Sequence, residues 1–383
     1  MQAFRFDAPP LPPEALEARR RVRAFLAEEC GGGRYVPHRC SWSTFDPEFS
    51  RRAGQAGFIG IPWPREFGGQ GQTSLVRFVV AMEMLAAGAP CGAHWVADRQ
   101  SGPQILRHGS ERARREILPR VCKGECFFGI GMSEPDSGSD LAAVRTRARR
   151  QGEGWLIDGS KIWTSQAHRV HYLIVLARTG DAGEDRHGGL TQFIVDMATP
   201  GVNVRPIHNL AGGHEFNEVF FRECFVPDDM RLGDEGAGWS MVTGELAFER
   251  SGPDRFLSDY RLLVELIDAI GTQPDARQAV EVGRLVSHLA ALLRMSSSVA
   301  AMLDEGRSPN TEAALVKDVG TAFEREVPEI ARLLLPLQPS VDEHSLRVTE
   351  TLAHVMLHAP SFTLRGGTRE ILRGIIARGL GLR

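Results

Sequence analysis

The order of patterns along the chain limits its fold more than any single motif does. From Pro13 to about Cys122, apolar residues recur at helical spacing, with Leu16, Val22 and Phe25 placed to line one face and a second amphipathic run over residues 75–85. Around Phe127 the pattern changes to short β-branched and aromatic runs at 155–157, 171–177, 191–195, 202–206 and 218–225, separated by turns, which predict a small sheet or barrel. After Gly236 the helical spacing returns in long runs at 255–270, 276–303, 311–335 and 346–357. Helix, then strand, then helix is neither an alternating βαβ order nor a repeat array, so a doubly wound sheet is disfavoured. Residues 56–71, rich in glycine and proline, break any regular element and predict a packed loop.

A chain of 383 residues is long enough for two or three packed units. Hydrophobic residues at 42% and charged residues at 24% describe an ordinary globular protein, and a net charge of -3 gives no basic field for nucleic acid. The six cysteines (Cys30, Cys40, Cys91, Cys122, Cys126 and Cys224) have no C-x-x-C spacing, so no zinc or other metal site is expected. Residues 1–13 are proline-rich without the apolar run of a signal peptide, and no later stretch reads as long enough to span a bilayer. A cytoplasmic protein with reduced thiols and no membrane insertion is the expectation.

A glycine pair, Gly129-Ile-Gly131-Met-Ser-Glu134, ends in glutamate where a dinucleotide fingerprint needs a third small residue, and it lacks a βαβ setting. A nucleotide cofactor would need another scaffold. Gly131-Met-Ser-Glu-Pro-Asp-Ser-Gly-Ser-Asp-Leu-Ala-Ala143 and Gly159-Ser-Lys-Ile-Trp-Thr-Ser165 resemble, in residue and spacing, the two flavin-facing segments of the acyl-CoA dehydrogenase family. The loop 56–71 and Asn217-Glu-Val-Phe-Phe-Arg-Glu-Cys-Phe-Val-Pro227, leading to Leu232-Gly-Asp-Glu-Gly-Ala-Gly-Trp239, agree in order, so the resemblance spans roughly Leu16 to Arg378.

The resemblance implies a mainly α fold with a central β domain: an N-terminal helical domain (1–124), a middle β domain (125–232) and a C-terminal four-helix domain (233–383), with FAD between the last two. By position, Met132 and Ser133 would contact the pyrimidine side of the isoalloxazine, Trp163 would flank the ring, and Ser165 would place its hydroxyl near flavin N5, whose electronics hydrogen bonding tunes. Ser139 and Thr368 complete the expected cofactor set. Taken singly, Ser133 and Ser165 fit turn capping equally well; their joint spacing favours the flavin.

Many relatives carry the catalytic base as a glutamate just before a Gly-Thr pair, where this chain reads Leu364-Arg-Gly-Gly-Thr-Arg-Glu-Ile-Leu-Arg373 and has Gly366 at the base position. In the isovaleryl and long-chain branches the base lies instead in a Glu-Arg pair that aligns with Glu249-Arg250. Val242, Leu246 and Glu249 fall at i, i+4 and i+7 of a helical run, which would put the carboxylate on an apolar face and raise its pKa towards that of a general base. Arg250 is the candidate substrate-binding residue, and adjacent helical residues point about 100° apart, so it is a poor direct partner for Glu249. The Gly366 backbone N–H can still polarise the thioester carbonyl.

The implied reaction is α-proton removal by Glu249 with hydride transfer to flavin N5, giving a trans-2-enoyl thioester. The substrate would be an acyl-CoA or acyl-carrier thioester, and electron-transferring flavoprotein the acceptor. The family's Arg-x-x-Phe-Gly and Gln-x-x-Gly-Gly-x-Gly segments are absent, so the adenosine half of FAD would be held differently, with Arg277, Arg284 or Arg294 as candidates, and a homodimer, homotetramer or heteromer stays open. Two alternatives stand beside the dehydrogenase: a flavin oxidase or monooxygenase on the same fold, and a non-catalytic subunit supporting a sister chain.

Overall fold

A computed structural model describes residues 4–7, 9–39, 41–181, 183, 185–335 and 343–382, and the side chains of 245–249 and 343–346 lie outside the described set. In chain order the helices are α1 (Pro13–Gly31), α2 (Pro47–Gln55), α3 (Ser74–Ala86), α4 (Gly92–Val96), α5 (Gly102–His108), α6 (Glu111–Cys122), α7 (Gly238–Arg250), α8 (Tyr260–Ile270), α9 (Ala276–Asp304), α10 (Asn310–Leu334), α11 (Glu343–Phe362) and α12 (Arg369–Gly379). Between α6 and α7 lie β1 (Phe128–Gly131), β2 (Arg147–Gln151), β3 (Gly154–Ser165), β4 (Tyr172–Arg178), β5 (Leu190–Asp196), β6 (Val202–Ile207), β7 (Phe216–Pro227) and β8 (Arg231–Leu232). The helical, sheet, helical order therefore stands. The chain divides into two compact units, one of residues 1–44, 73–90 and 247–383, the other of 45–72 and 91–246.

In the all-helical unit, α3 packs on α1 and α9, while α10 packs on α9, α11 and α12. Local chemistry sets the helix starts. The Thr73 side chain accepts from Val76 N at the head of α3, and Asp275 and Gln278 form a reciprocal capping box at the head of α9. Asp304, the last residue of α9, accepts from the N–H groups of Ser74 and Leu75 at 2.6 and 3.2 Å, which ties the start of α3 to the end of α9. One expectation is corrected here: α9 is long and apolar enough, by length and composition, to cross a bilayer. Leu285, Leu292, Ser296 and Val299 of that helix are buried within the protein, and a core helix meets the same test.

The sheet of the other unit runs β6-β7-β3-β2-β4-β5-β8, with β1 added parallel to β4. Antiparallel ladders dominate. The β4 and β5 strands are buried along almost their whole length, which is why they read as continuous Val, Ile, Leu and Phe runs, whereas the second half of β7 alternates buried and exposed residues. The loop 56–71 is packed as expected, with Ile59, Ile61 and Trp63 in the core. A Cβ at Gly69 would stand 2.2 Å from the Trp63 carbonyl oxygen, so no other residue fits there.

Candidate active site

Four of the expected cofactor residues come together in the sheet-bearing unit. The β1 strand ends at Gly131 and hands on to Met132 and Ser133, and both are fastened to β3: Lys161 Nζ donates to Met132 O at 3.0 Å, and Ile162 N donates to Ser133 O at 2.9 Å. Trp163 and Ser165 follow on the same strand. The register between β3 and β7 shifts between Lys161 and Thr164, and inside that irregularity Trp163 takes φ +60, an uncommon and strained conformation for a bulky residue. Its indole is 57% exposed and meets Phe216 edge-on at 6.1 Å, while Ser165 pairs with the same Phe216 across the ladder.

Met132 packs beneath this region against a buried cluster of Val144, Leu176, Leu190 and Val242. Among the described residues neither the Ser133 nor the Ser165 hydroxyl has a hydrogen-bond partner, so neither is used up in turn capping. Ser139 stands apart, exposed on the bend that follows the turn closed by Glu134 and Ser137.

What holds this face is a buried ion pair that sequence reasoning missed. Lys161 is 0% exposed, and its ammonium lies 2.8 Å from the Glu134 carboxylate, which also accepts from Arg145 N at 2.6 Å and Thr146 N at 2.9 Å. Burial pushes the Lys161 ammonium down to about 8, opposed by Glu134. Burial also works to raise Glu134, but the adjacent ammonium and the donors from Thr146 and Arg145 outweigh it and hold the carboxyl below its usual range. The glutamate that breaks the dinucleotide fingerprint is thus the clamp that joins segment 131–143 to segment 159–165.

The remaining site residues belong to the helical unit. Arg250, at the end of α7, is buried, and its Nε donates to Gly366 O at 3.2 Å. Gly366 and Gly367 take φ +66 and +97, in the region that favours glycine. Lys317 on α10 is buried and donates to Gly367 O at 2.6 Å. Among the described residues the Gly366 N–H has no hydrogen-bond acceptor. Thr368 is the N-cap of α12, without a side-chain cap hydrogen bond.

Arg365 is anchored more deeply. Its Nη2 reaches Glu324 Oε2 at 2.7 Å, Ser258 Oγ at 2.7 Å and Asp254 O at 3.1 Å, and the guanidinium lies over the rings of Trp42 and Phe362. Beside it Asp259 is fully buried with neither oxygen hydrogen-bonded, and burial together with the Glu324 charge holds its carboxyl well above the usual range. The side chain of Glu249, the expected base, lies outside the described residues.

The arginines weighed for the adenosine half of FAD are exposed on α9, and Arg284 pairs with Glu281 and Glu326. Arg369 and Arg373 both face Asp318, at 2.7 and 3.5 Å. Three histidines cluster in the sheet-bearing unit: His168 stacks on His214 at 4.2 Å with His208 beyond it.

The sheet-bearing face fits a flavin. A large, flat ring system needs an apolar plate it can cover, held rigidly, with polar groups at its edge. An indole left 57% exposed by a strained strand residue, beside two unengaged hydroxyls, supplies those features. Comparison with known proteins agrees. The family model "Acyl-CoA dehydrogenase, N-terminal domain" matches residues 12–125, and "Acyl-CoA dehydrogenase, middle domain" matches 129–224.

Acyl-CoA dehydrogenase IpdE1 of Mycobacterium tuberculosis is 31% identical over 380 residues, covering 96% of this chain and 97% of that protein. Acyl-CoA dehydrogenase FadE34 of the same organism is also 31% identical, although the chain spans only 50% of its length. Among solved structures, one described as the Tcur3481-Tcur3483 steroid ACAD superposes with a TM-score of 0.84 at 25% identity, covering 98% of this chain and 99% of that one. The ChsE4-ChsE5 complex from Mycobacterium tuberculosis gives 0.83 at 27% identity, with the same coverage. With matched domains over more than half its length and near-full-length relatives at this identity, the chain belongs to the acyl-CoA dehydrogenase family, FAD-dependent oxidoreductases acting on CH–CH donors.

Proposed function

We propose that the chain desaturates the Cα–Cβ bond of an acyl thioester to the trans-2-enoyl product, with Glu249 as the base and the Gly366 N–H as donor to the thioester carbonyl. The observation that carries this reading is the face built by Met132, Ser133, Trp163 and Ser165, with its exposed, strained indole. FAD, when bound there, supplies the hydride acceptor. Trp163 would cover the ring and exclude water, and Ser165 would set a hydroxyl at its edge. Thr368 would add a cofactor contact from the head of α12, and Ser139 a weaker one from its exposed turn.

Glu249 would take the α-proton. Donation from the Gly366 N–H to the thioester oxygen lowers the barrier to that step, because charge accumulates on the oxygen as the proton leaves. That N–H has no acceptor among the described residues and is therefore available. Arg250, whose Nε is taken by Gly366 O, would serve substrate binding through that carbonyl. A bulky, ring-bearing acyl group is supported by the likeness to a protein described as a steroid ACAD. Electron-transferring flavoprotein is the proposed acceptor and the cytoplasm the proposed compartment.

A second reading has an observation of its own. The Tcur3481-Tcur3483 and ChsE4-ChsE5 structures each name two chains, and Gly366 removes a carboxylate from the usual base position, so the chain would work as half of a heteromer.

The test is anaerobic flavin bleaching of the FAD-loaded protein with a panel of acyl-CoA thioesters, for wild type and Glu249→Gln. Wild type is expected to bleach, and the variant to slow by roughly 10²–10⁴-fold while keeping FAD, the range for loss of a general base. Bleaching that starts only when a sister chain is added would select the heteromer. No bleaching in either state would remove the dehydrogenase reading.

A further inference from the structure

If Gly366 acts through its main chain, something must hold that main chain still. We propose that Lys317 is a positioning residue for the thioester carbonyl, locking the Gly366–Gly367 step so that the Gly366 N–H keeps one direction. The inference rests on the function proposed for Gly366.

A Gly-Gly step has the least steric restraint of any dipeptide, and backbone entropy opposes fixing it. A donor aimed at a developing oxyanion must nevertheless sit within a few tenths of an ångström of its place. The restraint therefore comes from outside the loop. Arg250 Nε holds Gly366 O at 3.2 Å, and Lys317 Nζ holds Gly367 O at 2.6 Å. A Cβ on Gly367 would stand 3.4 Å from Arg250 Nη2, so the guanidinium packs directly against the loop.

Burying an ammonium is costly and demands firmly placed acceptors around it. Lys317 is nevertheless 0% exposed. Its neighbour Asp318 holds Arg369 at 2.7 Å, so two consecutive residues of α10 grip the chain on both sides of Thr368. On the entry side, Arg365 is fixed by Glu324 and Ser258. Both glycine carbonyls are thus turned to cations while the Gly366 N–H is left without an acceptor among the described residues, the polarity an oxyanion-binding loop needs.

The test compares FAD-loaded wild type with Lys317→Met by three readouts: the bleaching rate with the best thioester of the panel, the infrared C=O stretch of a bound, carbonyl-labelled enoyl thioester, and amide hydrogen exchange across 364–369. The variant is expected to keep FAD and a KM within about threefold, to bleach roughly 10–100-fold more slowly, as for a misplaced reacting group, and to lose part of the carbonyl down-shift. Exchange across 364–369 should quicken at least about tenfold, the equivalent of one lost anchoring contact. A purely structural role would lower stability without moving the carbonyl frequency.

Wild-type bleaching matched by Lys317→Met, with an unchanged C=O stretch, overturns this inference and leaves the dehydrogenase reading in place. A wild type that bleaches with no thioester overturns both. Should Lys317→Met fail to fold, wild type decides alone: the enoyl thioester must slow exchange at the Gly366 amide at least about tenfold, as a new hydrogen bond to that amide would, and no slowing overturns the proposal.

Discussion

The two groups of site residues are held in opposite ways. On β3 the proposed working groups are side chains, Trp163 and Ser165, and the backbone holds them through a strand ladder and the Ile162–Ser133 hydrogen bond. At 364–368 the proposed working group is a main-chain N–H, and side chains do the holding: Arg250, Lys317 and Arg365 each place a cation on the loop. Both rest on buried charge, but the Glu134–Lys161 pair fixes a sheet, whereas the Arg365–Glu324–Asp259 group fixes a segment with no regular structure of its own. Where chemistry is carried by the backbone, its control passes to residues far away in sequence.

The contrast breaks first, and most severely, if Lys161 is replaced. Lys161→Met should strand the Glu134 carboxylate in the core and lower stability by about 3–5 kcal/mol, the usual penalty for an uncompensated buried charge, read by urea unfolding. FAD should be lost with it, because Met132 and Ser133 lose one of their two ties to β3. A loss below about 1 kcal/mol would show that the ladder alone holds this face.

Trp163→Gly sharpens the comparison with a smaller effect of opposite sign. Relief of the left-handed conformation should stabilise FAD-free protein by about 1 kcal/mol, while FAD retention falls. Thermal unfolding with and without FAD measures both.

Asp259→Asn should have the mildest effect, visible mainly as a change with pH. Burial and the Glu324 charge hold the Asp259 carboxyl well above its ordinary range, so the folded protein keeps a proton that the unfolded chain releases. Its contribution is complete in acid and is lost as pH climbs from the unfolded value through the raised folded one. Asparagine cannot ionise, so the variant should gain on wild type as pH rises from 5 to 9 in urea titrations. A constant difference would mean that Asp259 is ionised in the fold.

Much of the fold was legible because burial writes a periodicity into the residues. The continuous apolar runs of β4 and β5 and the long helices α9 and α10 were readable in this way, whereas Gly159 to Ser165 drew notice through its family resemblance. Three strands were not readable: β1, β2 and the two-residue β8. The Phe-Gly-Ile-Gly run of β1 reads as a turn, and Arg-Ala-Arg-Arg-Gln in β2 buries one side chain and is held by its ladder with β3.

The supports of the site were illegible for a related reason. Glu134 and Lys161 are 27 positions apart, and Lys317 is 50 from Gly367, so neither partner predicts the other locally. A faint signal did exist on α10. Lys317, Thr321 and Glu324 fall at i, i+4 and i+7 on the face of the buried Ala313, where polar residues call for partners.

The cap that Asp304 places on α3 also has a bearing on the order in which the protein can be made. Its acceptor atoms lie about 230 positions beyond the N–H groups they satisfy. At 5–20 residues per second, a ribosome needs roughly 10–50 s to deliver the one after the other. For that interval the apolar face of α3 waits without the helix that covers it, so the nascent chain must be shielded during synthesis or must postpone this part of its folding until its last third has emerged.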